Sequence, residues 1–104
     1  MDDDTLTLGG NIQLAGFRDV EPATMIVVKK IVGTYARHFS GKFPKFELLK
    51  VSMKKIHEKE HTEKYELHAL VVDSGRQHAA SVTERNLFVA LDAALKKVES
   101  SISK

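Results

Sequence analysis

A chain of 104 residues has room for one compact domain and not for two. Its 42% apolar and 29% charged residues are ordinary for a globular protein, and no uncharged apolar run is long enough for a helical membrane span. The 16 basic residues nearly cancel the 14 acidic ones, so a net charge of +2 does not mark a nucleic-acid binder by itself, and the lack of cysteine excludes disulfides, thiolate nucleophiles and sulfur-bound zinc.

Residues 1–10, opening with Met1-Asp2-Asp3-Asp4, read as a flexible acidic head. A secretory signal would be basic there and would be followed by an apolar stretch, so a cytoplasmic protein is expected. Asn11 to Phe17 reads as a first strand, with Ile12 and Leu14 alternating against Gln13 and Ala15. Asp19 and Pro22 signal a helix start, because a short acceptor side chain caps free amides and proline is tolerated in the first turn. The helix is expected to run to about Ser40. Its stripe of Val28, Ile31, Val32, Tyr35 and Phe39 recurs at steps of three and four, which outweighs the penalty of roughly 1 kcal/mol for Gly33. Gly41 and Pro44 are expected to end it.

Leu49, Val51 and Met53 alternate with Lys50, Ser52 and Lys54 in a half-buried second strand. Tyr65, Leu67, Ala69 and Val71 repeat the pattern as its hairpin partner. Asp73-Ser74-Gly75 supplies a second tight turn before a small-residue strand from Gln77 to Val82. A last helix is expected from about Glu84, with Thr83 as cap and Leu87, Leu91, Ala94, Leu95, Val98 and Ile102 on one stripe. The expected fold is α+β in the order β-α-β-β-β-α: one domain over residues 11–102, a two-residue tail, and a four-stranded mixed sheet with both helices on one face.

His57-Glu58-Lys59-Glu60-His61 fits H-E-x-x-H, the zinc-protease pattern that puts two imidazoles on one helical face with the glutamate as general base. Here it falls between two strands, in polar sequence with no apolar stripe, and a hairpin loop is the better reading. No third ligand stands out, and no serine carries the signature of an activated nucleophile. Neither a catalytic site, a metal nor a cofactor is expected.

The basic residues lie apart from the acidic clusters. On the first helix Lys29, Lys30, Thr34, Arg37 and His38 flank the apolar stripe, and on the second Lys96, Lys97, Ser100 and Lys104 do so. Two adjacent helices would pool these charges into a surface able to contact phosphates without reading sequence. Taken alone they also fit an ordinary solvated helix face, with Asp92 and Lys96 as an i,i+4 pair.

The stretch Gly75-Arg76-Gln77-His78-Ala79-Ala80-Ser81-Val82 and the following Asn86-Leu87-Phe88-Val89-Ala90-Leu91-Asp92-Ala93-Ala94-Leu95-Lys96-Lys97-Val98, with the order of elements, resemble the ribosome hibernation-promoting factor and protein Y family. In that family a small-residue strand leads into a helix of the form aromatic, small pair, aliphatic, Asp, small, aliphatic, Lys. The likeness runs from Leu6 to about Ile102. It implies the short form of the family: a single domain, monomeric in solution, that docks on the small ribosomal subunit where messenger and transfer RNA bind and so represses translation. Lys29, Lys30, Arg37, Lys96 and Lys97 are then expected on ribosomal RNA, with Lys42, Lys45 and Lys104 beside them. A protein-interaction module using the open sheet face (Lys50, Lys54, Glu66, His68, Val72) is the alternative. A double-stranded RNA-binding domain is a lesser one, because Thr83-Glu84-Arg85-Asn86 is no lysine-rich phosphate clamp.

Overall fold

The computed structural model describes residues 5–59 and 62–103. Seven elements follow one another: β1 (Leu6–Leu8), β2 (Ile12–Ala15), α1 (Pro22–Lys42), β3 (Phe46–Lys59), β4 (Thr62–Asp73), β5 (Arg76–Glu84) and α2 (Leu87–Ile102). The strands form one sheet in the order β1-β2-β3-β4-β5, mixed because β2 and β3 run parallel while every other neighbouring pair is antiparallel. The α+β class and the parallel pairing across α1 are as expected. The sheet, however, has five strands instead of four, because Leu6–Leu8 folds back on β2 with Leu6 opposite Leu14 and Leu8 opposite Ile12. Part of the expected head is therefore structured. Two alternating leucines provide too short a pattern to mark a strand against the polar sequence around them.

Period-two alternation sends Leu14, Leu49, Val51, Met53, Leu67, Ala69 and Val71 to one face, where they form a single core with Val28, Val32, Ala36 and Phe39 of α1 and Ala90, Leu91, Ala94, Leu95 and Val98 of α2. Both helices cover that face. Phe39 anchors it, fully buried and with its ring about 6 Å from those of Tyr35, Phe43 and Phe46. The other face carries Lys50, Lys54, Glu66, His68 and Val72, and no helix among the described residues covers it.

The helix ends differ from expectation. Pro22 does open α1, but Glu21 precedes it without a side-chain cap, and Asp19 lies outside. Gly41 lies within α1, which runs to Lys42. Phe43 then turns extended ahead of Pro44, as a residue before proline must, and its N–H still bonds the Phe39 carbonyl at 2.8 Å. Thr83 and Glu84 belong to β5, and the cap of α2 is Asn86, whose Oδ1 accepts from the Val89 N–H at 3.0 Å. Ser74 and Gly75 both take positive φ in the β4–β5 turn. That turn is tied to the segment after α1, since Ser74 N–H donates to the Lys45 carbonyl and Gly75 N–H to the Glu47 carboxylate.

β3 and β4 outrun their neighbours. β2 pairs only as far as Ser52 and β5 only as far as Tyr65, so the rows Ile56 with Lys64, His57 with Glu63 and Lys59 with Thr62 form a two-stranded ribbon on a molecule of 45 × 27 × 25 Å.

Two glycines behave oppositely. Gly16 has φ +84°, and a methyl there would collide with the Met53 carbonyl oxygen; Gly33 is helical, with nothing within 4 Å of an added methyl. Gly16→Ala is expected to lower unfolding stability by more than about 1 kcal/mol, whereas Gly33→Ala should raise it by roughly 1 kcal/mol, both read from urea unfolding.

Candidate nucleic-acid interface

α1 and α2 lie side by side and parallel, since Tyr35 meets Asp92 while His38 and Lys42, further along α1, meet Glu99, further along α2. The Tyr35 hydroxyl donates to Asp92 Oδ1 at 2.7 Å, and Lys96 Nζ lies 3.1 Å from Asp92 Oδ2. Lys42 Nζ donates to Glu99 Oε2 at 2.9 Å, with His38 Nε2 at 2.8 Å from the same oxygen. The seam between the helices is thus closed by two carboxylates. Each is held below the usual carboxylate range, Asp92 first by the tyrosine hydrogen bond and then by Lys96, Glu99 first by Lys42 and then by His38. Burial, and next the bond to Asp92, pushes the Tyr35 hydroxyl well above its ordinary value.

The expected cationic residues do not form one block. Lys30 and Arg37 share the outermost face of α1, two turns apart, and Lys96 stands on the outward side of α2 with 69% of its side chain exposed. Lys29 lies on the flank away from α2, where it lines a groove of about 560 Å³ with Leu6, Phe17, Arg18, Met25 and Ile26. Lys97 lies on the far flank of α2 and reaches the outer edge of β5, where its Nζ donates to the Ser81 carbonyl at 3.1 Å. Lys42 is engaged by Glu99, and Lys45 follows at the helix C-terminal end. Lys104 lies outside the described residues. Lys29, Lys30 and Arg37 have no ion-pair partner among the described residues.

Charge is nonetheless lopsided in this layer. α1 carries Lys29, Lys30, Arg37 and Lys42 and no carboxylate; α2 carries Lys96 and Lys97 beside Asp92 and Glu99, both turned into the seam. Sequence reasoning paired Asp92 with Lys96 but missed Tyr35 and Glu99 as the clasp. Tyr35 sits in the apolar stripe, and only its hydroxyl, which asks for an acceptor when half-buried, hinted at a partner.

His57-Glu58-Lys59-Glu60-His61 is not helical. His57 lies in β3 opposite Glu63, its Nδ1 3.6 Å from that carboxylate, so the expected loop is instead mostly strand; Glu60 and His61 lie outside the described residues. Among the described residues no three His, Asp or Glu side chains are grouped to hold a metal ion.

No family model matches this chain, and no curated protein or solved structure matches it.

Because Glu99 ionises more readily folded than unfolded, its contribution to stability is full above the unfolded carboxylate range and disappears as pH falls through the lower folded value. Glu99→Gln is therefore expected to lose stability at neutral pH and to narrow the difference between neutral pH and about pH 3, as measured by urea unfolding at both. Tyr35→Phe should cost about 1 kcal/mol and move the Asp92 carboxyl back toward its ordinary range, followed by NMR titration.

Proposed function

We propose that this protein is a non-enzymatic, cytoplasmic translation-inactivating factor that contacts ribosomal RNA on the small ribosomal subunit through the outward faces of α1 and α2. The observation that carries the reading is the inward turn of Asp92 and Glu99. With both acids of the helix layer turned to the seam, Lys30 and Arg37 on the outermost row of α1 face no carboxylate of either helix, while Lys96, outward on α2, is paired with Asp92. Cations in that arrangement attract a phosphate backbone without needing base contacts, which suits folded RNA. The likeness of β5 and α2 to the hibernation-promoting factor and protein Y family points the same way. Lys29 and Lys97 then act at the margins of the contact, and Lys42 and Lys45 extend it toward the helix C-termini.

A second reading rests on the open sheet face, where half-buried Leu48, Leu70 and Val72 lie among Lys50, Lys54 and His68 with no element of the described residues over them. That surface suits a protein partner.

The expected outcome is co-sedimentation with vacant small subunits at low salt, weakening as salt rises. Lys30→Glu with Arg37→Glu should reduce affinity by about tenfold or more and lower the salt slope by roughly one per lost phosphate contact. Lys50→Glu with Lys54→Glu should leave binding unchanged. Protein that stays unbound at low salt defeats the proposal. Binding lost only in the sheet-face pair transfers the function to the second reading.

A further inference from the structure

The sheet ends at β5, whose outer edge meets no other strand among the described residues. It is a long edge, Arg76–Glu84, with no proline, and its pairing with β4 is free of register shifts. Exposed edges of this kind are ordinarily blunted by a bulge, a proline or an inward charge, because their free amides and carbonyls template another strand. Here one such group is covered from outside: the Ser81 carbonyl accepts from Lys97. Since that carbonyl points away from β4, ladder alternation also directs the main-chain groups of Gln77, Ala79 and Thr83 outward.

The side chains along this edge complement their own reversed copy. Turned about Ala80, an antiparallel second β5 sets Ala79 opposite Ser81 and Gln77 opposite Thr83, all four with outward main-chain groups, as a hydrogen-bonded register requires. The same register sets Arg76 opposite Glu84 at both ends. At the centre only Ala79, Ala80 and Ser81 meet, and open hollows of about 300 and 290 Å³ flank them where they adjoin Lys97, Ser100 and Ser101.

The helix layer admits the approach. α2 packs over β4 and β5, so across a shared seam two copies of it fall two strand spacings apart, roughly 10 Å, the contact distance of packed helices. Its flank toward the edge carries Ala90, Ala93, Ser100 and Ser101, and Lys97 is its one long side chain.

We propose that the outer edge of β5 is a self-association surface, on which a second copy of this chain adds its own β5 antiparallel about a dyad at Ala80 and joins the two five-stranded sheets into one. Lys97 acts as the guard of that edge, giving up the Ser81 carbonyl to the Ala79 N–H of the second copy. This departs from the monomer expected from the sequence, and it does not rest on the RNA reading, with which it shares only Lys97.

Sedimentation velocity of the full chain, from micromolar to its highest soluble concentration, should show a concentration-dependent dimer. Arg76→Glu and Glu84→Arg should each weaken it about tenfold, since like charges then face each other at both ends, and the two together should restore it. Lys97→Met should strengthen it by freeing the carbonyl. Ala79→Pro, which removes an outward donor and leaves the β4 ladder intact, should abolish it with an unchanged circular dichroism spectrum. A monomer at every concentration, in the unaltered chain and in Lys97→Met alike, overturns the proposal. So does a dimer indifferent to Ala79→Pro, or a charge-swapped pair that fails to re-form.

Discussion

The alternation of apolar and polar residues along β3 and β4 is the constraint on which the rest of the molecule depends. Leu49, Val51 and Met53 on one strand, set against Val71, Ala69 and Leu67 on the other, give the sheet one face that must be covered. Two amphipathic helices then have one place to go. A slip of one residue in that register would turn the buried rows to solvent and bring Lys50, Ser52 and Lys54 under Phe39 and Leu95, so the pattern fixes pairing as firmly as the main-chain hydrogen bonds do. The parallel entry of β2 beside β3 follows, because α1 must cross the covered face to connect them. Gly16 is where that crossover leaves the sheet, and the nearness of the Met53 backbone explains why no side chain stands there.

Once two helices lie side by side on a sheet, their facing flanks need polar partners wherever the apolar stripe runs out. Here Tyr35, Asp92 and Lys96 make one clasp, and His38, Lys42 and Glu99 make the next. Each clasp is partly exposed and individually modest in energy. Their larger effect is on the field outside. Glu99 is taken up by Lys42 and His38 and Asp92 by Tyr35 and Lys96, so neither stands beside Lys30 and Arg37 on the outer row of α1.

Much of this architecture was legible in the sequence. The long periodic segments gave α1, α2 and the β3–β4 and β4–β5 hairpins, because apolar spacing is a direct image of which face is buried. The misses fall where the deciding partner is remote in the chain. Leu6–Leu8 is a strand because β2 is beside it. Asn86 caps α2 in place of Thr83 because pairing with β4 carries β5 on through Glu84. Lys29, Lys30, Lys96 and Lys97 lie on helices as expected, whereas Lys42, expected in the loop after α1, is its last residue; spacing alone could not say that Lys29 and Lys97 occupy opposite flanks. That depends on which side of each helix meets the other, a fact carried by Tyr35 and Glu99 and by no local pattern.

The two-stranded ribbon beyond Lys55 and Tyr65 has a consequence for how the protein comes apart. A hairpin without a third strand or a covering helix is marginal in water, and in the paired rows Ile56 with Lys64 and His57 with Glu63 no side chain belongs to the buried core. Amide exchange should thus be graded along the hairpin, quick in the ribbon and slow where Leu49 and Val71 lie under the helices, so that one continuous pair of strands belongs to two units of opening. A chain lengthened within the ribbon would leave the slow unit untouched.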